Sequence, residues 1–181
     1  MNIKKNPTDP LCTMTPSEEA MWRSVNDAVM GGLSSSQFKI TEAQDSHTLT
    51  YIGFFKGVVT DENNGGFASV ASPIEQTEQE KSTSYTGIQL HCRGDGKEYQ
   101  IRLRTTYNNV VTRYKFEFGP VNQEWETIIA PFNQFIATHR GKEIIDAPTI
   151  TSQSIDEVGL LISKRQLGEF CLQIRDIQLI V

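Results

Sequence analysis

The stretch Gly87–Thr105, GIQLHCRGDGKEYQIRLRT, decides how the chain is read. Two alternating runs meet at Asp95-Gly96, and Asp-Gly between alternating apolar residues is the strongest local signal for a β-hairpin closed by a two-residue type I′ turn. Counting outward from that turn sets Cys92 against Tyr99, Leu90 against Ile101 and Ile88 against Leu103. On the other parity Arg93 meets Glu98, His91 meets Gln100 and Gln89 meets Arg102. Apolar opposes apolar and polar opposes polar, and a one-residue slip would mix the two faces. The expectation is a strand pair with one dry face and one wet, basic face carrying His91, Arg93, Gln100, Arg102 and Arg104.

Short alternating runs of the same kind recur on both sides. Strands are predicted near 36–43, 48–55, 66–72, 86–93, 98–105, 112–118, 124–130, 156–162 and 169–181. Turn residues fall between them at Asp45-Ser46, Asp61 to Gly66, Asp95-Gly96, Asn108-Asn109 and Gly119-Pro120. Roughly nine short strands without sustained helical periodicity describe an all-β fold, an antiparallel β-sandwich or jelly roll. One short helix is expected near the N-terminus, where TPSEEAMW from Thr15 offers an N-cap, a proline at the first helical position and an early acidic pair. Residues 1–15 read as a flexible arm and 16–181 as a single domain. Residues 133–154 form the longest connection without a strand pattern, a length that is usually functional or mobile. In the last strand Phe170, Leu172 and Ile174 share one parity while Ile177, Leu179 and Val181 share the other, which predicts a β-bulge at Arg175-Asp176.

Composition narrows the function. At 181 residues one core can bury a large share of the chain, so no metal or disulfide staple is needed. Seventeen basic residues against 22 acidic ones give a net charge of −5, which argues against a nucleic-acid partner. No apolar run is long enough to span a bilayer, and the first residues lack a signal peptide's apolar core, so a cytoplasmic location is expected. Cys12, Cys92 and Cys171 are widely spaced with no CxxC pair and read as reduced, packed thiols.

A second informative stretch is Trp22–Phe38, WRSVNDAVMGGLSSSQF. Together with NNGGFASV at 63–70, YTGIQLHCRGDGKEYQIRLR at 85–104, Trp125 with PFNQF at 131–135, HRG at 139–141 and VGLLI with GEFCLQIRDI within 158–177, it resembles the complex I intermediate-associated protein 30 family. The match is collinear from Trp22 to the C-terminus. It implies a galactose-binding-like jelly roll and a non-catalytic role like that of the mitochondrial members, which are assembly factors or chaperones of respiratory complex I. Without a transit peptide, the chain looks like a stand-alone bacterial-type member.

The candidate site residues fall into two groups. Asn26, Asp27, Gly31, Gly32, Ser34 and Ser36 are dense in turn-building and hydrogen-bonding types. They read either as a structural turn or as a backbone nest for a polar ligand or partner loop, and Asn64, in the NNGGFASV stretch, is a further binding candidate. His91, Arg93, Gln100, Arg102, Arg104 and Tyr107 read either as a solvated face or as a cleft for a carboxylate, phosphate or acidic peptide. Asp61 and Asn63 supply hard oxygens that could be drawn as a Ca²⁺ loop, although the ligand order of an EF-hand is missing, and no other cofactor is indicated. His47, His91 and His139 have no metal-ligand spacing, and there is no phosphate loop, nucleophile elbow or paired-carboxylate signature, so no catalytic residue is assigned. Trp22, Trp125, Phe132 and Phe135 are expected in the core. Two functions follow as expectations: a domain binding a protein partner, as in an assembly intermediate, or a carbohydrate-binding module.

Overall fold

The two runs flanking Asp95-Gly96 belong to different sheets. The computed structural model describes residues 8–45, 48–77, 83–121, 123–164 and 166–181. It is a sandwich of two antiparallel sheets. The first orders β3 (Ser35–Asp45), β4 (Thr48–Val59), β13 (Gly168–Ile180), β6 (Gly87–Arg93) and β9 (Glu126–Pro131), with β1 (Thr8–Cys12) also paired to β13. The second orders β11 (Lys142–Glu143), β10 (Ile136–His139), β8 (Val110–Phe118), β7 (Tyr99–Tyr107), β12 (Ile155–Ile162), β5 (Ala68–Pro73) and β2 (Arg23–Ser24).

The expected hairpin is therefore an arch that carries the chain from one sheet to the other. Period-2 alternation specifies only that Leu90, Cys92, Ile101 and Leu103 point to one dry side, and both a hairpin and two strands facing across a sandwich meet that demand. The turn chemistry decides between them. A type I′ turn needs positive φ at both central residues, but only Gly96 (φ 84°) has it at this corner. Asp95 instead accepts from the amide of Lys97 at 3.1 Å, the hydroxyl of Tyr99 at 2.9 Å and the amide of Cys171 at 2.9 Å, tying the arch to β13. A two-residue turn with both φ values positive sits at Asn108-Asn109 (48° and 64°), where Tyr107 pairs with Val110. The consequence is that the wet residues part company. His91 and Arg93 lie on the outer face of the first sheet, and Gln100, Arg102 and Arg104 on the outer face of the second.

Each of the nine expected strands is present, and four short ones join them: β1, β2, β10 and β11. β1 corrects the flexible arm from Thr8 onward, because it pairs with β13 and buries Leu11 and Cys12, and Met14 just beyond it is buried too. Residues 1–7 lie outside the described residues, as do Ser46 of the Asp45-Ser46 turn and His47. β10 and β11 put regular structure into the 133–154 connection. The helical turn near the N-terminus is a 3₁₀ segment, Pro16–Met21, and four shorter ones occur at Asp27–Met30, Glu62–Asn64, Phe132–Gln134 and Ser152–Ser154. They are one or two turns long, held by local i→i+3 bonds, and too short to show a sequence period.

The β13 bulge lies where parity places it: the register against β6 shifts between Ile174 and Asp176. The extra residue lets Phe170, Leu172 and Ile174 before it, and Ile177 and Leu179 after it, all face the core. Aromatic rings from both sheets close one end of that core, with Phe55 of β4 at 4.8 Å from Phe170 and 6.2 Å from Tyr99 of β7. Trp22 stacks on Phe38 at 4.1 Å, and Phe132 and Phe135 are buried as expected. The three cysteines are free, and burial, with a smaller contribution from Glu126, pushes the Cys92 thiol up to about 12, the behaviour of a packed and unreactive group.

Candidate functional site

Asn26 and Asp27 are clamps. Asp27 is completely buried, and its carboxylate accepts from the amides of Ser34 at 3.1 Å, Gly66 at 2.8 Å and Phe67 at 3.3 Å. Burial pushes this carboxyl up, but the hydrogen bonds from Ser34, Gly66 and Phe67 outweigh it and hold it below its ordinary value. Asn26 Oδ1 accepts from the Ser36 hydroxyl at 2.6 Å and the Ser69 amide at 3.0 Å. The Ser34 hydroxyl donates to the Thr60 carbonyl at 3.2 Å and accepts from the Thr60 amide at 3.1 Å. Gly31 ends the Asp27–Met30 turn at φ 90°, a left-handed conformation that glycine adopts without strain. Gly32 is needed for space: a Cβ there would sit 2.4 Å from Asp27 Cγ. The polar groups of this loop are thus directed at the protein itself, which is what the turn reading expects, and its exposed tip is apolar, with Met30 64% and Leu33 56% accessible.

Held this way, the loop makes one rim of a cleft of about 800 Å³ on the outer face of the second sheet. Val25, Met30 and Phe67 line that rim, Thr138, Arg140 and Gly141 the opposite one, and outward side chains of β5, β12, β7 and β8 the floor. The 133–154 connection therefore walls the face without covering it. Five basic side chains, Arg102, Arg113, Lys115, Arg140 and Lys164, line the cleft against two carboxylates, Glu117 and Glu157.

Those carboxylates are engaged. Glu117 meets Lys164 at 2.9 Å and Lys115 at 3.1 Å, and these contacts, Lys164 foremost, hold its carboxyl below the ordinary glutamate value despite burial. Glu157 pairs with Arg23 and, at 3.2 Å, with Arg104. Arg104 also donates to Asp156 at 2.6 Å. Arg102 is half-buried and donates to the neutral Gln100 at 3.0 Å and Thr138 at 3.3 Å. The two arginines that the sequence sets side by side thus differ: Arg104 is bound into an acidic pair on β12, and Arg102 faces the cleft. Arg104→Ala is expected to cost about 1 kcal/mol, as half-exposed pairs do, while Arg113→Ala stays within about 0.5 kcal/mol. Urea midpoints distinguish the two, and equal midpoints would show that the Asp156–Arg104–Glu157 contacts hold nothing.

Of the other candidates, Tyr107 is 67% exposed at the tip of the β7–β8 hairpin. Asn64, Asp61 and Asn63 are exposed around the Glu62–Asn64 turn, and among the described residues no group of three His, Cys, Asp or Glu side chains is placed to hold a metal ion. His91 and Arg93 join a separate cluster on the first sheet. There Trp125, expected in the core, is half-buried beneath the guanidiniums of Arg93 (5.0 Å) and Arg175 (4.5 Å), with His91 edge-on at 5.4 Å. The β13 bulge sets Arg175 and Asp176 outward together, which brings Arg175 to the indole. Arg113, Lys115 and Glu117 are cleft residues that motif reading missed. Their signal is the alternation TRYKFEF at 112–118, whose polar parity faces out.

Solved structures agree with this architecture, and sequence relatives place the chain in a family. The chain is 26% identical over 175 residues to an uncharacterized protein of Schizosaccharomyces pombe, covering 90% of this chain and 78% of that one. It is 23% identical over 166 residues to the mouse mitochondrial complex I intermediate-associated protein 30, covering 84% of this chain but half of the relative's length. Among solved structures it is similar to the family 11 carbohydrate-binding module of a Clostridium thermocellum cellulosomal cellulase, with a TM-score of 0.61, 14% identity and coverage of 88% and 86% of the two chains. A family 30 carbohydrate-binding module matches at 0.58 and 12% identity, over 96% and 87%. Identities this low speak for the sandwich fold alone. Residues 13–174 match the family defined by complex I intermediate-associated protein 30, and the chain belongs to that family.

Proposed function

We propose that the chain is a non-catalytic binding domain that holds a protein partner in the cleft of its second sheet, in the assembly of respiratory complex I or a similar membrane enzyme. The observation that carries this reading is the cleft itself: an open trough with one apolar rim and a cationic floor, built on a member of the complex I intermediate-associated protein 30 family. An extended segment of another protein offers both kinds of side chain that such a lining takes. A second reading, carbohydrate binding, is favoured by the likeness to carbohydrate-binding modules, one of which is described in complex with a mixed-linked tetrasaccharide. Stacking on sugar rings calls for exposed aromatic faces, however, and Phe67 is the aromatic residue lining this cleft among the described residues.

Site-specific photo-crosslinking in the native cell tests the proposal. A crosslinker at Met30, on the rim, is expected to capture a subunit or assembly intermediate of the respiratory complex. One at Ile129, 47% exposed on the first sheet, should not. Equal capture from both positions would remove the cleft from the reading. Glycan-array binding that is lost on Arg102→Ala would replace the protein partner with a carbohydrate.

A further inference from the structure

The register of β7 against β8 sets like charges opposite one another. Arg102 pairs with Lys115 and Arg104 with Arg113, so four cations occupy adjacent positions on one face. Directly opposed like charges repel, and a sheet tolerates them where something else supplies the counter-charge. Two of the four have it within the chain: Arg104 from Asp156 and Glu157, and Lys115 from Glu117. For Arg102 and Arg113, no carboxylate among the described residues lies at ion-pair distance. The two carboxylates of the cleft are already held by Arg23, Arg104, Lys115 and Lys164.

We propose that the cleft takes an acidic peptide segment of its protein partner, with a side-chain carboxylate seated between Arg102 and Arg113. This rests on the cleft being a protein-binding surface and names the chemistry of what it binds. The guanidinium of Arg102 is pre-aimed, because Gln100 and Thr138 fix it from below, and Gln100 is itself held by Glu117 at 3.1 Å. A fork with donors to spare suits the two oxygens of a carboxylate. Burial, and then the Arg113 charge, lower the pKa of Arg102, a cost that an incoming anion relieves. The excess of five cations over two carboxylates stands out on a chain whose net charge is −5, so the field at the cleft selects an acidic segment locally against the overall charge of the chain. The apolar rim of Val25, Met30 and Phe67 favours a peptide, whose apolar side chains it can cover, over a uronic-acid chain.

The test uses the full chain with three probes: a short acetylated peptide alternating Glu and Leu, the same peptide with Gln for Glu, and oligogalacturonate. The Glu peptide is expected to bind, more weakly as salt is raised. Arg102→Gln and Arg113→Gln are each expected to weaken it at least about tenfold, the effect of losing one charge-assisted hydrogen bond. Arg93→Gln, on the opposite sheet, should change nothing. Arg113 is exposed, so its variant keeps the test decisive even if Arg102→Gln fails to fold. Equal binding of the Glu and Gln peptides, unaffected by either variant, overturns the anion site and leaves the protein-binding cleft standing. Oligogalacturonate binding in place of the peptide overturns the peptide and the protein partner together. Failure of the Glu peptide to bind at millimolar concentration overturns the proposal, while the Met30 crosslinking result stands independently.

Discussion

Asp27→Ala is expected to lower the unfolding free energy by about 3–5 kcal/mol. The carboxylate is fully buried and is the shared acceptor for three amides, those of Ser34, Gly66 and Phe67. Alanine would remove the acceptor and strand the donors where the 26–36 loop meets the start of β5. Hydrogen bonds to a charged group contribute about 1.5–3 kcal/mol each, not additively, and unpaired buried donors cost about as much again. Against a typical total of about 5–15 kcal/mol this is a large share. The urea midpoint should fall with the m-value unchanged. A loss under about 1 kcal/mol would mean that Asn26, Ser34 and Ser36 hold the loop without it.

Acid should reproduce part of that loss. The folded Asp27 carboxyl sits below its ordinary value of 3.8, so the unfolded chain takes up the proton first. The stabilisation is complete above the unfolded value and is lost as pH falls through 3.8 toward the folded value. Glu117, also lowered, adds to the same acid limb from its own ordinary value of 4.5. Asp27→Asn should therefore show a shallower decline in stability below about pH 4 than the parent, and parallel curves would refute the linkage.

The distinction between what the sequence shows and what it hides is physical. Strand positions were legible because burial on one side imposes a period of two, and the β13 bulge was legible because a parity change within one strand has few other causes. The partner of each strand was not legible at Gly87–Thr105, since inward-facing residues satisfy the same alternation whether they share a sheet or face across the sandwich. That ambiguity joined His91 and Arg93 to a face they do not share with Arg102. The place of Trp125 is hidden in the sequence for a related reason: its cover comes from Arg93 and Arg175, far apart in the chain and united only by the pairing of β6 with β13. The cationic floor was half legible, because β7 displays Arg102 and Arg104 but the carboxylates that neutralise Arg104 come from β12.

Gly32→Val is expected to cost about 3 kcal/mol or more, and the reason is space rather than backbone strain. The positive φ that a β-branched residue would resist belongs to Gly31, at 90°, and not to Gly32. At Gly32 the three atoms nearest to an added Cβ, at 2.4, 2.5 and 2.9 Å, all belong to the Asp27 side chain. Any side chain there must push the carboxylate off its amides, so the penalty combines overpacking with the loss of buried hydrogen bonds. A double-mutant cycle separates space from backbone strain. Gly32→Ala should be costly in the parent but cheaper in the Asp27→Ala background, where the two nearest obstructing atoms, Cγ and Oδ1, are gone and only Cβ at 2.9 Å remains, giving a coupling within the range of about 0.5–3 kcal/mol expected for touching residues. An equal cost in both backgrounds would locate the penalty in the backbone, and the view of Asp27 as a clamp closed over a glycine would fail.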